Sequence, residues 1–197
     1  GIGEEDIRAV APNVIYVSIS GFGENGPWVG RPVYDPIVQA LSGLTTIQAG
    51  SDTERPRLVR TIVPDKLTAI VASQAITAAL LARERTGEGQ HVRVSMLDAV
   101  MSFLWASDMG GLTFPDKPMP AQKAASFIDL IYQTADGYMT VSTMGNKEWW
   151  ALSRAFEEPE LLEDPRFKDA AERDANVNDR LELIQSRLLA KTTAQWV

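Results

Sequence analysis

Between Leu67 and Ala82 the sequence is apolar almost all round and rich in alanine. A helix without a polar face has to be covered on most sides, so this run predicts a closely packed core helix inside a layered fold. A membrane span needs roughly 18 or more apolar residues. This run is shorter and carries Thr68, Ser73, Gln74 and Thr77. No signal peptide is visible, and the expectation is a soluble, cytoplasmic protein with no membrane partner. Pro64-Asp65 marks the start of the helix, and Arg83 to Arg85 followed by Gly87 marks its end.

The flanking segments supply a sheet. Val14 to Ser18 is β-branched and aromatic and reads as a buried strand, and His91 to Ser95 alternates like another. Asp35-Pro36 opens a helix whose apolar face is read as Ile37, Val38, Ala40 and Leu41, with Gly43 as its stop. Met96 to Ala106 reads as a further helix. The stretch 107–126 contains Pro115, Pro118 and Pro120 and little periodicity, and reads as a linker. Beyond it come two strands, Ile128 to Tyr132 and Tyr138 to Ser142, joined by a turn at Asp136-Gly137. Helices over Lys147 to Phe156, Glu158 to Leu162 and Asn178 to Ala190 follow, with the charged stretch Glu163 to Arg173 between the last two. The fold class expected is α/β: a partial doubly wound, Rossmann-like large domain over residues 1–106, a linker over 107–126, and a small α+β domain over 127–197.

Composition narrows the chemistry. With 45% hydrophobic and 23% charged residues the chain has the balance of a globular protein. Its net charge of −7 argues against a general nucleic-acid binder. The absence of cysteine excludes thiolate catalysis and cysteine-held metals. His91 is the only histidine, so a Ser-His-Asp relay has that residue alone to use, and a histidine-rich metal site is excluded. No serine sits in a nucleophile-elbow sequence.

Gly21-Phe22-Gly23-Glu24-Asn25-Gly26 matches G-x-G-x-x-G after a strand, but a dinucleotide fingerprint needs a helix opening at that loop. The next residues, Pro27-Trp28-Val29-Gly30-Arg31-Pro32, do not form one. The loop remains a ligand-lining candidate, because ligands of α/β folds bind outside the carboxyl ends of strands. Asp65, just before the apolar run, reads first as a helix N-cap. A carboxylate there also sits at the positive end of the helix dipole, and it is a residue type that attacks acyl carbons. Arg55, Arg57 and Arg60 cluster in a loop and read as solvated, with phosphate binding as the functional alternative. Trp105, Trp149 and Trp150 read as core or domain-packing residues.

Taken together the motifs resemble the class III CoA-transferases, the CaiB/BaiF family. The resemblance runs through Val14 to Gly23, Gly26-Pro27, Arg31 to Asp35 and Gln39 to Gly43. It continues through Pro64-Asp65, Ala79 to Ala82, Arg85-Thr86-Gly87-Glu88-Gly89-Gln90, Val92 and Ser95 to Ala99. In the second half it rests on Thr134 to Gly137, Gly145-Asn146, Trp149 and Leu162 to Phe167. The resemblance implies an acyl-CoA:carboxylate CoA-transferase with Asp65 as catalytic nucleophile. It implies coenzyme A bound as acyl-CoA near Ser20, Gly21, Phe22, Gly23, Tyr34 and Asp35, with N–H groups of the glycine loop stabilising oxyanions. It further implies a small carboxylic acid as second substrate, no metal, and an interlocked homodimer.

The family's racemases carry a histidine where this chain has Tyr34. A phenol is a poor base near neutral pH, which favours transferase over racemase. Formyl-CoA transferase has a lysine at the position of Ser20 and a glycine-rich lid in its small domain; Ala121 to Phe127 has no glycine. Members of the family are longer than this chain, which lacks their N-terminal strand–helix units and their C-terminal return. The chain therefore reads as an internal fragment with weak or no activity, and a non-catalytic remnant of the fold is the third reading.

Overall fold

The computed structural model describes residues 1–49, 54–108, 130–143 and 145–197. These form two compact units, residues 1–121 and 122–197. The expected linker over 107–126 lies outside the described residues except for 107 and 108, which end a helix.

The first unit runs α1 (Glu4–Val10), β1 (Tyr16–Ser20), α2 (Asp35–Leu41), α3 (Leu44–Ala49), α4 (Val63–Thr86), β2 (His91–Ser95) and α5 (Met96–Asp108). β1 and β2 pair in parallel, Tyr16 opposite His91 through Ser20 opposite Ser95. Parallel neighbours need a crossover, and α2 to α4 provide it. The strand read over 14–18 begins two residues later, because pairing with β2 sets its ends. Before the ladder the chains nearly touch: a Cβ on Gly89 would overlap the backbone of Asn13 and Val14, so only glycine fits there. A two-stranded parallel sheet with helices is what the described residues of this unit hold.

The apolar core of this unit is Val38, Leu44, Val100 and Leu104, with Val59, Val63 and Leu67 packed against it. Two expectations are corrected. In α2 the buried stripe is Asp35, Val38, Gln39 and Ser42, while Ile37, Ala40 and Leu41 face outward. In α4 only Pro64, Thr68, Ala72 and Ala79 are buried, and Ile70, Leu80 and Leu81 are exposed. The helix is also longer than the apolar run. Its 24 residues are long and apolar enough to cross a membrane by length and composition alone. An all-round apolar pattern states a demand for cover; within this unit only one side of α4 meets it.

The second unit pairs β3 (Ile131–Gln133) and β4 (Tyr138–Thr140) antiparallel around the Asp136-Gly137 turn. Then come α6 (Asn146–Phe156), a 3₁₀ turn (Pro159–Leu162), α7 (Ala170–Ala175), α8 (Val177–Leu188) and α9 (Thr193–Trp196). Its core joins Tyr132, Trp149, Leu161, Phe167, Ile184 and Leu188. Trp149 is thus a core residue as read, whereas Trp105 and Trp150 are about half exposed. The stretch read as a charged connection, Glu163 to Arg173, runs into α7, which turns Arg173 inward. Its guanidinium donates to the Phe167 carbonyl at 3.0 Å and to Asn146 Oδ1 at 2.7 Å, and burial lowers its pKa.

Candidate active site

α4 starts after Ile62, with Pro64 in its first turn, where a missing N–H costs no helix bond. Asp65 is the third helical residue and its side chain is exposed. It does not cap the helix: Ile62 holds that position, and no side-chain cap bond forms. The first N–H groups of any helix lack internal partners. The Asp65 N–H finds one outside the helix, donating to Asp35 Oδ2 at 3.3 Å.

Asp35 is only 5% exposed, and both of its oxygens are engaged. Its Oδ1 accepts from Gln39 Nε2 at 2.6 Å. Gln39 is 2% exposed and also donates from Nε2 to the Thr61 carbonyl at 3.2 Å, while its Oε1 accepts from the Val59 N–H at 2.9 Å. Asp35 was expected to face the CoA ester. The structure buries it, with Oδ1 on the Gln39 side chain and Oδ2 on the Asp65 backbone N–H. Tyr34, the residue before it, precedes the first turn of α2 and is 77% exposed.

The glycine loop lies at the carboxyl ends of the parallel strands. Ser20, Phe22 and Gly23 line an open cleft of about 220 Å³ together with Ser18, Glu24, Asn25, Arg93, Val94, Ser95 and Asp98. Gly21 is buried behind it; a Cβ there would strike Val33, and its carbonyl accepts from the Leu97 N–H at 3.0 Å. Gly23 has φ +80, and its N–H donates to Ser20 Oγ at 3.0 Å. That N–H is one of the loop donors the resemblance implies for an oxyanion, and here it bonds Ser20. Asp65 is not among the residues lining this cleft. The cleft gathers Ser20, Phe22 and Gly23, and Asp65 meets Asp35 at the start of α4.

His91 knots α1 to the sheet. Its Nε2 lies 2.7 Å from Ser18 Oγ and its Nδ1 lies 2.5 Å from Glu4 Oε2, with the Tyr16 ring edge-on to it. The Arg8 guanidinium, and after it His91, hold the Glu4 carboxyl below the usual carboxylate range. Ser18 stands mid-strand, not on a strand-to-helix turn, so the arrangement lacks the elbow of an α/β hydrolase. Arg55, Arg57 and Arg60 are exposed, and none forms an ion pair with a carboxylate among the described residues. Among the described residues no cluster of three or more His, Asp or Glu is placed to hold a metal ion.

The family model for CoA-transferase family III matches residues 1–197, the whole chain. The chain belongs to CoA-transferase family III. Among its relatives, the probable fatty acyl-CoA transferase Rv3272 of Mycobacterium tuberculosis is 33% identical, over 100% of this chain and 53% of that protein. Acetyl-CoA:oxalate CoA-transferase of Acetobacter aceti is 32% identical, over 100% of this chain and 51% of that protein. The crystal structure of the mycobacterial protein superposes with a TM-score of 0.84 at 31% identity, covering 100% of this chain and 52% of that one. The fold described above is therefore that of a family III CoA-transferase. This chain spans about half the length of the relatives it matches.

Sequence reasoning missed Gln39 as a member of the site. The signal was present: Asp35, Val38, Gln39 and Ser42 recur at i, i+3, i+4 and i+7, one helical face, but the face is mostly polar.

Proposed function

We propose that the parent protein is an acyl-CoA:carboxylate CoA-transferase and that Asp65 is its nucleophile. The observation that carries this reading is an exposed carboxylate in the first turn of α4, with its backbone N–H tied to buried Asp35. The side chain is free to meet a thioester while its base is fixed.

The chemistry is a chain of acyl transfers. An Asp65 oxygen attacks the thioester carbonyl, the carbon–sulfur bond breaks, and CoA thiolate leaves a mixed anhydride. The thiolate attacks Asp65 Cγ, releasing the donor as its carboxylate and leaving an aspartyl-CoA thioester. The acceptor carboxylate attacks that Cγ, expels the thiolate and forms a second anhydride. The thiolate then takes the acceptor's acyl carbon, and Asp65 is regenerated. No net proton, electron or metal is required. Ser20 to Gly23 and Tyr34 would border the CoA ester, with the cleft at the strand ends taking part of it.

Tyr34 supports transfer over racemisation, since proton abstraction beside a thioester needs a competent base on each face of the α-carbon. The proposal extends to a doubly wound large domain in the whole protein and to a cytoplasmic homodimer, on the family resemblance.

The test is labelling in the presence of hydroxylamine, with acetyl-CoA or succinyl-CoA as probe. The reading expects a hydroxamate at Asp65, mapped by peptide mass, and none in Asp65→Ala. Labelling elsewhere, or unchanged labelling in Asp65→Ala, would overturn it.

A further inference from the structure

We infer that Asp35 and Gln39 are positioning residues: a buried carboxylate–amide pair on α2 that sets the turn presenting Asp65. The inference rests on Asp65 being the nucleophile and adds what holds it.

Two side chains one helical turn apart fasten three backbone points of one segment, at Val59, Thr61 and Asp65. Every bond direction is fixed. Val59 and Asp65 present backbone N–H groups, which only donate, so Gln39 must offer Oε1 to Val59 and its amide nitrogen to Asp35 and Thr61. Asp35 must then accept at both oxygens, which a carboxylate does and an amide does not. The pair also replaces a helix cap. Ile62 has no polar side chain to satisfy the first turn, so the Asp65 N–H depends on Asp35. Both side chains are sealed from water, while the Asp65 carboxylate stays outside. Such a device fixes the nucleophile's backbone without touching the acyl group. Its loss displaces an attacking atom by fractions of an ångström, which slows the chemical step and leaves CoA binding alone.

The critical variants are Asp35→Asn and the swap Asp35→Asn with Gln39→Glu. In Asp35→Asn, one amide must face another donor. The swap restores acceptors to Val59 and Asp65 and a donor between the pair, and sets a Glu oxygen against the Thr61 carbonyl where the amide had donated. Two readouts are needed: amide hydrogen exchange at Asp65, and the Asp65 labelling rate against acetyl-CoA or succinyl-CoA concentration. Asp35→Asn should speed exchange at the Asp65 N–H about tenfold or more. It should lower the saturating labelling rate about tenfold to a hundredfold, with half-saturation held within about twofold. The swap should recover most of both. Unchanged exchange in Asp35→Asn, a change confined to half-saturation, or a folded swap that recovers neither readout would overturn the inference. Should Asp35→Asn not fold, a folded swap that labels within about tenfold of wild type sustains it, and a swap that also fails to fold overturns it. If exchange responds as described but wild type labels a residue other than Asp65, the nucleophile assignment fails while the bracket stands as structure, and the positioning role falls with it.

Discussion

Asp65 and Asp35 meet through one hydrogen bond, from the backbone N–H of the first to Oδ2 of the second, across 30 residues of sequence. The exposed carboxylate thus stands on a buried one. Removing the lower group by Asp35→Ala takes one partner from the Gln39 amide nitrogen and the Asp35 acceptor from the Asp65 N–H. Leaving buried polar groups unpaired costs about 1–3 kcal/mol each, so the variant should lose stability of that order. Urea unfolding at neutral pH measures it. Tyr34→Phe, altering an exposed neighbour, should lie within about 0.5 kcal/mol of wild type.

Gly89 and Gly87 stand two residues apart and should respond differently to alanine. Gly87 ends α4 in the left-handed region, φ +77, with open space where a Cβ would sit. Alanine there should cost about 1 kcal/mol, the conformational penalty alone. At Gly89 the Cβ would overlap the backbone of Asn13 and Val14, which cannot rotate away. Its alanine variant should cost about 1–3 kcal/mol from overpacking and displace the entry to β1. Parallel denaturation of the two variants checks the order.

The second unit should weaken in acid through Asp136. Its Oδ1 accepts from the Thr193 backbone N–H at 2.7 Å, joining the β3–β4 turn to α9, and that bond, with help from the Thr193 and Thr134 hydroxyls, lowers its pKa. A depressed carboxyl contributes stability that is present above its unfolded value, about 4, and is lost as pH falls through the lower folded value. Melting temperature should therefore drop below about pH 4, and Asp136→Asn should reduce that dependence while lowering stability at neutral pH. A variant with the same acid slope as wild type would show that Asp136 is not a source of it.

Much of the fold was legible in the sequence where the signal is local. The alternating His91 to Ser95 is β2 residue for residue, and Asn146–Phe156 differs by one residue from the helix read there. What escaped depends on partners distant in the chain. The ends of β1 are set by pairing with β2. The exposure of Ile70 and Leu81 on α4 depends on which elements are there to cover them. The inward stripe of α2 looked solvent-facing because Asp35 and Gln39 are polar, and nothing local revealed that each would complete its hydrogen bonds inside. Asp65 stands out in the sequence by its position before the apolar helix and by family resemblance. Its exposure and its tie to Asp35 came only from three dimensions.

The route of one oxygen atom tests the central claim most directly. In the proposed exchange the acceptor bonds through a carboxylate oxygen to Asp65 Cγ, and the later break at the acceptor's carbon leaves that oxygen on Asp65. Acetyl-CoA or succinyl-CoA would be supplied with an acceptor carboxylate carrying heavy oxygen, and the peptide containing Asp65 then weighed. Heavy oxygen accumulating in the Asp65 carboxylate, and in no other acidic residue, is the predicted result. New CoA ester formed while Asp65 stays unlabelled would contradict the account.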